Sequence, residues 1–424
     1  MRKLTYMVIA LLSAAIILSG CSKPNNSKPN NSKPTTSNAD IKVAVFYEED
    51  EQGKVYKKLA NAYMDANPGS KVEVIYGYSS SDEISQMLSG SGGIDVLGLT
   101  RSQLLEYSKS GYLTDISSLS KEMDYNNNLY PISISYGKYN GKLYGIGDMP
   151  MTMEWFYNKD IFDKYSLDEP KDLDDLKAIC KTLKSKGVIP VSLGGMDGWT
   201  TNLLLGTITA QTAGASDLTS NYGSDRKAFS SIDGIDDSFK ILGELFNSCI
   251  DKDCGKINYI QSVKDFVNGD AAILPALSTT KSTIDDMKSK GFSYGVFEDG
   301  ITFTAKPEAL YCASAGQVLT IPGNSSKQED AKDFIKFVFS EEGQGCFTDQ
   351  KYTASLKSVN NDKDDVKTAV LSHLEGTNDD SIMLYDNISH DMLVHSDEVL
   401  ANVADGIVDV KNAWSKILSL TFNE

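Results

Sequence analysis

Residues able to do chemistry gather behind three apolar runs near the start of the chain. Tyr47-Glu48-Glu49 follows Ile41 to Phe46, Tyr78-Ser79-Ser80 follows Lys71 to Tyr76, and Thr100-Arg101 follows Ile94 to Leu99. These residue types suit non-covalent binding. A tyrosine face stacks on a ring, carboxylates such as Glu48 and Glu49 accept hydroxyl protons, and the guanidinium fork of Arg101 pairs two adjacent hydroxyls. Each has a plainer alternative. Acids in a first helical turn are favoured by the helix dipole alone, and an arginine in an acidic chain can simply neutralise its neighbours. Asp95 lies inside its run and reads as structural.

Bond-breaking chemistry has thin support. The chain has 58 acidic residues, so some carboxylate pair of the kind used in glycoside hydrolysis will always look plausible. The three histidines, His373, His390 and His395, all fall in the last stretch, and the last two are five apart rather than the four of a helical zinc pair. No Gly-x-Ser-x-Gly elbow, phosphate loop or zinc cysteine quartet is present in the sequence. We therefore expect no enzyme, no metal and no cofactor.

The elements that must position these residues follow from periodicity. Ile41 to Phe46 alternates as a strand, and a helix with Val55, Leu59, Ala62, Tyr63 and Ala66 on one face ends at Asn67-Pro68-Gly69. Lys71 to Tyr76 is a second strand, a helix around Ile84 to Leu88 follows, and Ile94 to Leu99 is a third strand. Strands alternating with helices predict a parallel α/β sheet, with loops at the strand carboxyl ends free to meet a ligand. Asn140-Gly141 between two tyrosine-rich runs predicts a tight hairpin. A proline-started helix then carries Leu173, Leu176, Ile179 and Leu183 inward, stops at Gly187 and precedes a strand at Val188 to Leu193, which opens a second α/β lobe. Ser326-Lys327-Gln328-Glu329 reads as a capping box before a helix with Ala331, Phe334, Ile335, Val338 and Phe339 on one face.

The ends and the composition bound the setting. Arg2, Lys3 and the apolar stretch Met7 to Leu18 lead into Leu18-Ser19-Gly20-Cys21, a secretory signal too short to span a bilayer. Three Ser-Lys-Pro units then form a segment without core residues, expected to act as an extended tether. From Ala39 onward the chain is long enough for two lobes. The net charge of −17 repels phosphates and argues against nucleic acid, leaving neutral or cationic small molecules open. Of six cysteines, five remain beyond Cys21, an odd number. Cys249 and Cys254 are near enough in sequence to bridge if the turn Asp251-Lys252-Asp253 allows it.

Several segments, in order, carry a resemblance. Leu18-Ser19-Gly20-Cys21 resembles the bacterial lipobox, which implies cleavage before Cys21 and lipid on that cysteine. Asn67-Pro68-Gly69 before Val72-Glu73-Val74, Gly92-Gly93-Ile94-Asp95-Val96, and Gly111-Tyr112-Leu113-Thr114-Asp115-Ile116 resemble extracellular solute-binding protein family 1, the maltodextrin-binding-like lipoproteins of carbohydrate ABC importers. The stretch Tyr139-Asn140-Gly141-Lys142-Leu143-Tyr144-Gly145-Ile146 through Trp155-Phe156-Tyr157-Asn158-Lys159-Asp160-Ile161-Phe162 is similar to the family signature nearly residue for residue. Gly147 departs from it where a proline is usual, and Leu277-Ser278 stands where many members carry a tryptophan.

The resemblance implies a two-lobe periplasmic-binding-protein-like fold of type II, each lobe a sheet flanked by helices, with the ligand closed between them. Residues 1–20 would be the signal peptide, 21–38 the lipidated tether, 39–148 with 278–325 the first lobe, and 149–277 with 326–424 the second. It places Asp148 where the chain enters the interlobe region, as the leading carboxylate for ligand, with a turn-forming role as its alternative. Trp199, after the second-lobe strand, resembles a family tryptophan, and Gly194 and Gly195 would let backbone approach a ligand. Ser278 would mark an altered subsite. Tyr311, Ser314 and Gly316 precede a returning strand, and Tyr352 and Tyr385 are later aromatics that close over a sugar or merely pack; Trp155 reads as core. The implied function is capture of a neutral carbohydrate, an oligosaccharide, and delivery to ABC permease subunits by a monomer lipid-anchored on the outer face of the membrane. A cationic ligand such as a polyamine or peptide is the alternative, and an importer-independent adhesin or sensor a third class.

Overall fold

The computed structural model describes residues 40–423 apart from 79, 91, 92, 362 and 363. The signal, the tether, Cys21, Ser79 and Gly92 therefore lie outside the described residues.

Among the described residues twelve strands run in chain order as β1 (Asp40–Val45), β2 (Lys71–Tyr76), β3 (Val96–Leu99), β4 (Lys138–Tyr139), β5 (Lys142–Leu143), β6 (Gly145–Gly147), β7 (Met151–Asn158), β8 (Ile189–Val191), β9 (Ala271–Leu277), β10 (Tyr294–Val296), β11 (Ala313–Ser314) and β12 (Val318–Thr320). The first sheet has the order β2-β1-β3-β12-β6. Its three opening strands are parallel, with Val43 opposite both Val74 and Val96, and β12 enters antiparallel between β3 and β6. The second sheet has the order β10-β7-β9-β8, with β11 on β7. Here β8 and β9 are parallel and β7 runs against both β9 and β10. The expected α/β class is the observed one.

Local chemistry explains most boundaries. The β4–β5 hairpin turns on Asn140 and Gly141, both at positive φ (47° and 71°), as a tight hairpin turn requires. The helix Ser81–Leu88 is started by a capping box between Ser80 and Glu83, and the helix Arg101–Lys109 by one between Thr100 and Gln103. Asp172, two residues beyond Pro170, caps the helix Leu173–Ser185 by accepting from the amides of Asp174 and Asp175. Leu176, Ile179 and Leu183 face inward as expected, while Leu173 is only half-buried.

The capping box expected at Ser326 does not form. The helix is Gln328–Val338, Lys327 stands at its cap with no side-chain bond, and Ser325 Oγ accepts from the Lys327 amide while donating to Asp95 at 2.7 Å. Its apolar face is as predicted, with Ala331, Phe334, Ile335 and Val338 buried. That face packs with Ile41, Val43 and Val45 in the first lobe's core, whereas the resemblance implies the second lobe for 326–424. Conversely, β10 pairs with β7 in the second sheet, whereas the resemblance implies the first lobe for 278–325. Both differences have one cause: the chain returns to each sheet more than once, and only packing tells which return is which.

Candidate functional site

Register brings the predicted loops to one edge. The carboxyl ends of β1, β2, β3 and β6 and the amino end of β12 coincide, so Tyr47, Tyr78, Thr100, Asp148 and Gln317 share an edge of the first sheet. In the second sheet the carboxyl ends of β8, β9 and β10 lie with the amino end of β7, which places Leu193, Ser278, Phe297 and Thr152 together. Two crossovers join the sheets, Asp148 to Pro150 between β6 and β7, and Ala315 to Gln317 between β11 and β12. They are bonded to each other: the Asp148 amide donates to Gln317 O at 2.9 Å and the Gly316 amide to Asp148 O at 2.8 Å.

Asp148 sits at this junction, and the structure gives it a role other than the expected ligand carboxylate. It is fully buried. Tyr47 Oη donates to Oδ1 at 2.8 Å, the Gln317 amide to the same oxygen at 2.8 Å, Gln317 Nε2 to Oδ2 at 3.3 Å, and Tyr56 Oη makes a short bond to Oδ2. Both oxygens are thus satisfied from within the protein, as a buried carboxylate requires. Burial pushes its pKa up to about 6 although these donors oppose the rise. Gly316 has to be glycine, since a Cβ there would lie 2.0 Å from Tyr47 Oη and 2.7 Å from Asp148 Oδ1.

A second buried cluster flanks the same crossover. Ser314 Oγ donates to Asp386 Oδ2 at 2.8 Å and lies 2.9 Å from Tyr136 Oη. Burial pushes Asp386 up to about 7 against the bonds from Tyr136 and Ser314. Arg101, expected to fork onto a ligand, is 2% exposed and spent inside. Its Nη1 donates to the carbonyl of Tyr136 at 2.9 Å and to that of Lys138, its Nε to Asn387 Oδ1 at 3.4 Å, and Nη2 reaches Thr219 Oγ1 at 3.5 Å. Burial lowers its pKa to about 10. Arg101 therefore pins the start of its helix to segments far along the chain.

The other predicted residues spread along this seam. Glu48 and Glu49 are exposed; the Glu48 carboxylate lies over Gly77 and Glu49 pairs with Lys57 at 3.4 Å. Tyr78 is buried, and its hydroxyl has no hydrogen-bond partner among the described residues. Ser278 is half-buried at the end of β9, its amide donating to Thr152 O at 2.8 Å and its Oγ accepting from the Thr152 amide at 3.2 Å. Trp199 is half-buried, its ring centroid 5.1 Å from that of Tyr259. Gly194 and Gly195 make close approaches to the protein itself instead of leaving room for a ligand. A Cβ on them would lie 2.4 Å from the Tyr259 amide nitrogen and 2.6 Å from the Ala404 Cβ.

Tyr311 stacks on His373 with centroids 4.4 Å apart, inside the second lobe. His373 bonds Glu154 at 3.0 Å, and although burial disfavours its charge, Glu154 raises its pKa. Tyr352 is half-buried against the first core and Tyr385 against the second; Trp155 is core, as read. Sequence reasoning missed Tyr56, Tyr136, Gln317 and Asp386. Tyr56 sits on a helix face that reads as packing, and nothing in the sequence links it to Asp148. Asp386, beside Tyr385, carried the one usable signal. Phe46, half-buried with its amide donating to Gln317 Oε1 at 3.3 Å, was passed over as the last residue of a strand.

With this geometry in view, the comparisons are consistent. Residues 58–372 match the model of the bacterial extracellular solute-binding protein family, and the chain belongs to that family. It is 28% identical over 120 residues to a probable sugar-binding periplasmic protein of Mesorhizobium japonicum, and 21% identical over 216 residues to an uncharacterized ABC transporter extracellular-binding protein of Pyrococcus horikoshii. Those alignments cover 28% and 46% of this chain, and the same shares of the two relatives. Among solved structures, apo RafE from Streptococcus pneumoniae superposes with a TM-score of 0.70 at 20% identity, over 92% of this chain and 99% of its own. A chitin oligosaccharide binding protein gives 0.67 at 18% identity, over 91% and 98%. RafE in complex with raffinose gives 0.65 at 20% identity, over 90% and 99%. The fold is that of the solute-binding proteins.

Proposed function

We propose that this protein captures a neutral carbohydrate, an oligosaccharide, between its two lobes and delivers it to the permease of an ABC importer. In this reading lipid on Cys21 holds a monomer at the outer face of the membrane. The observation that carries it is the pair of sheet edges joined by two mutually bonded crossovers, with Trp199 and Tyr385 left half-buried on the second lobe. Its support from relatives is the family match, and structural neighbours that include RafE in complex with raffinose and a chitin oligosaccharide binding protein. Trp199 supplies a flat face for a sugar ring, Tyr385 and Tyr352 close over it, and Glu48 and Ser278 pair hydroxyls. Neutral ligand is favoured over a polyamine because most of the seam's acids are engaged: Asp148 and Asp386 are internally bonded and Glu49 faces Lys57, which leaves Glu48 to meet a hydroxyl.

Calorimetric titration of the protein from Ala39 onward against gluco-, xylo-, manno- and galacto-oligosaccharides, with polyamines as controls, tests this. One glycan series should bind saturably, and Trp199→Ala should weaken it about tenfold or more, given roughly 0.5–1.5 kcal/mol for an aromatic contact beyond its buried area. A polyamine signal with silence from the sugars would overturn the carbohydrate reading. For the permease, charge-reversing patches on each lobe should abolish uptake and leave affinity intact; unaffected uptake would remove that partner.

A further inference from the structure

The cysteines present chemistry that solute binding does not use. Cys254 Sγ donates to Ala404 O at 3.6 Å and Cys346 Sγ to Glu342 O at 3.7 Å, while Cys312 is bonded with Thr207. Cys180 and Cys249 differ from these in being each other's side-chain neighbours, both in the buried core of the second lobe. Cys249 thus faces Cys180, not the Cys254 that sequence spacing suggested.

The backbone fixes this meeting. Cys180 lies on the inward face of the helix Leu173–Ser185, and Cys249 directly follows the helix Ile235–Ser248. Lys177, one turn before Cys180, pairs with Glu244 of the second helix at 2.9 Å, and Ile250 bridges to Val191 of β8. An ion pair on one side and a strand bridge on the other hold the two sulfurs in register. The bond from Cys180, with Lys184 and Lys177 nearby, lowers the Cys249 pKa against the effect of burial, so Cys249 is the better thiolate of the two.

We propose that Cys180 and Cys249 form a redox-modification site, closed outside the cytoplasm to an intrachain disulfide that cross-links these two helices of the second lobe. This rests on the extracellular reading, since thiols stay reduced in the cytosol. The oxidant is a small-molecule disulfide of the glutathione type. Cys249 thiolate attacks one of its sulfurs, forming a mixed disulfide and releasing one small thiol. Cys180 gives up its proton and attacks the Cys249 sulfur, forming the protein disulfide and releasing the second small thiol. Two protein thiols are oxidised and one small disulfide is reduced. Because both sulfurs are shielded in the folded lobe, the exchange belongs to folding.

The test unfolds the full-length protein in denaturant, refolds it in a mixture of reduced and oxidised glutathione, then alkylates it in denaturant and maps tryptic peptides by mass. A linked pair of Ala178–Lys181 with Ile241–Lys252, two hydrogens lighter than the sum, is expected. Thermal melting adds a second measurement. Reductant should lower the wild-type melting temperature by about 5 °C and leave Cys180→Ser unmoved. Alkylation of both peptides after refolding, or linkage of Ile241–Lys252 to the peptide containing Cys254, overturns the proposal. Refolding in glutathione depends neither on export nor on sugar, so its failure is distinct from a failure in the calorimetric titration.

Discussion

Asp148, fully buried, and Asp386, half-buried and bonded to Ser314, set how the molecule answers to pH. Burial raises the first from 3.8 to about 6 and the second from 3.8 to about 7, and the partner of His373 raises that imidazole as well. A group whose folded pKa is raised binds its proton more tightly in the native state, so its stabilising contribution is full below the unfolded pKa and is lost as pH climbs through the folded value. The two carboxylates lose their contribution between about pH 4 and 7 and His373 loses its own above about 6.5, so all three act in the same direction. The melting temperature should therefore fall by several degrees as pH rises from about 5 to 7.5, and Asp386→Asn should flatten that slope. Scanning calorimetry across that range checks it; a curve flat or rising with pH would refute the assignment. At the same scale, Gly316→Ala drives a methyl against Tyr47 Oη at 2.0 Å. It should destabilise the protein by about 1–3 kcal/mol in urea titrations, the range for overpacking, whereas Gly345→Ala, with open space around it, should not.

At the scale of elements, the helix Gln328–Val338 shows how packing overrides chain order. It belongs by sequence to the closing third of the chain and by contact to the first lobe, where Phe334 meets Tyr63 with ring centroids 5.2 Å apart. Phe334→Ala leaves a cavity in a fully buried site, and about 3–5 kcal/mol of stability should go with it. Because the loss falls on the first lobe, tryptophan fluorescence provides a spatial check: Trp155, Trp199 and Trp414 all pack in second-lobe clusters. If the lobes melt separately, the mutant should unfold first by circular dichroism with tryptophan emission changing later. Coincident transitions would mean that the seam couples the lobes into one cooperative unit. The apolar face of this helix was legible in the sequence because it repeats at helical spacing. The box expected at Ser326 does not form: the helix starts at Gln328, and Ser325, bonded to Asp95, a residue no local pattern brings near, takes the Lys327 amide instead.

For the whole molecule, closure of the lobes on a sugar is the motion the proposed function requires. Small-angle scattering should record a smaller radius of gyration when the glycan found by calorimetry saturates the protein, as hinge closure around a ligand requires. No change on saturation would mean that ligand binds without closing the cleft. Asp148 and Arg101 bear on this motion, since one ties the two crossovers together and the other holds Asn387 and Thr219 to the first lobe's third strand loop. Arg101→Lys keeps the charge and loses the fork. It should weaken glycan binding only through the closure equilibrium, changing affinity and the unliganded radius together.

The alternation of strands and helices, the Asn140-Gly141 hairpin, the inward faces of the main helices and the sheet edge where loops meet are all legible along the chain. These follow from spacing between near neighbours, which periodicity records. Tertiary structure alone decided that Asp148 and Arg101 turn inward, that Tyr56 and Gln317 complete the junction, that Cys249 faces Cys180, and which lobe each returning segment joins. Those outcomes depend on burial and on partners more than a hundred residues away in several cases, and a carboxylate or guanidinium reads the same in sequence whether water or a buried tyrosine satisfies it.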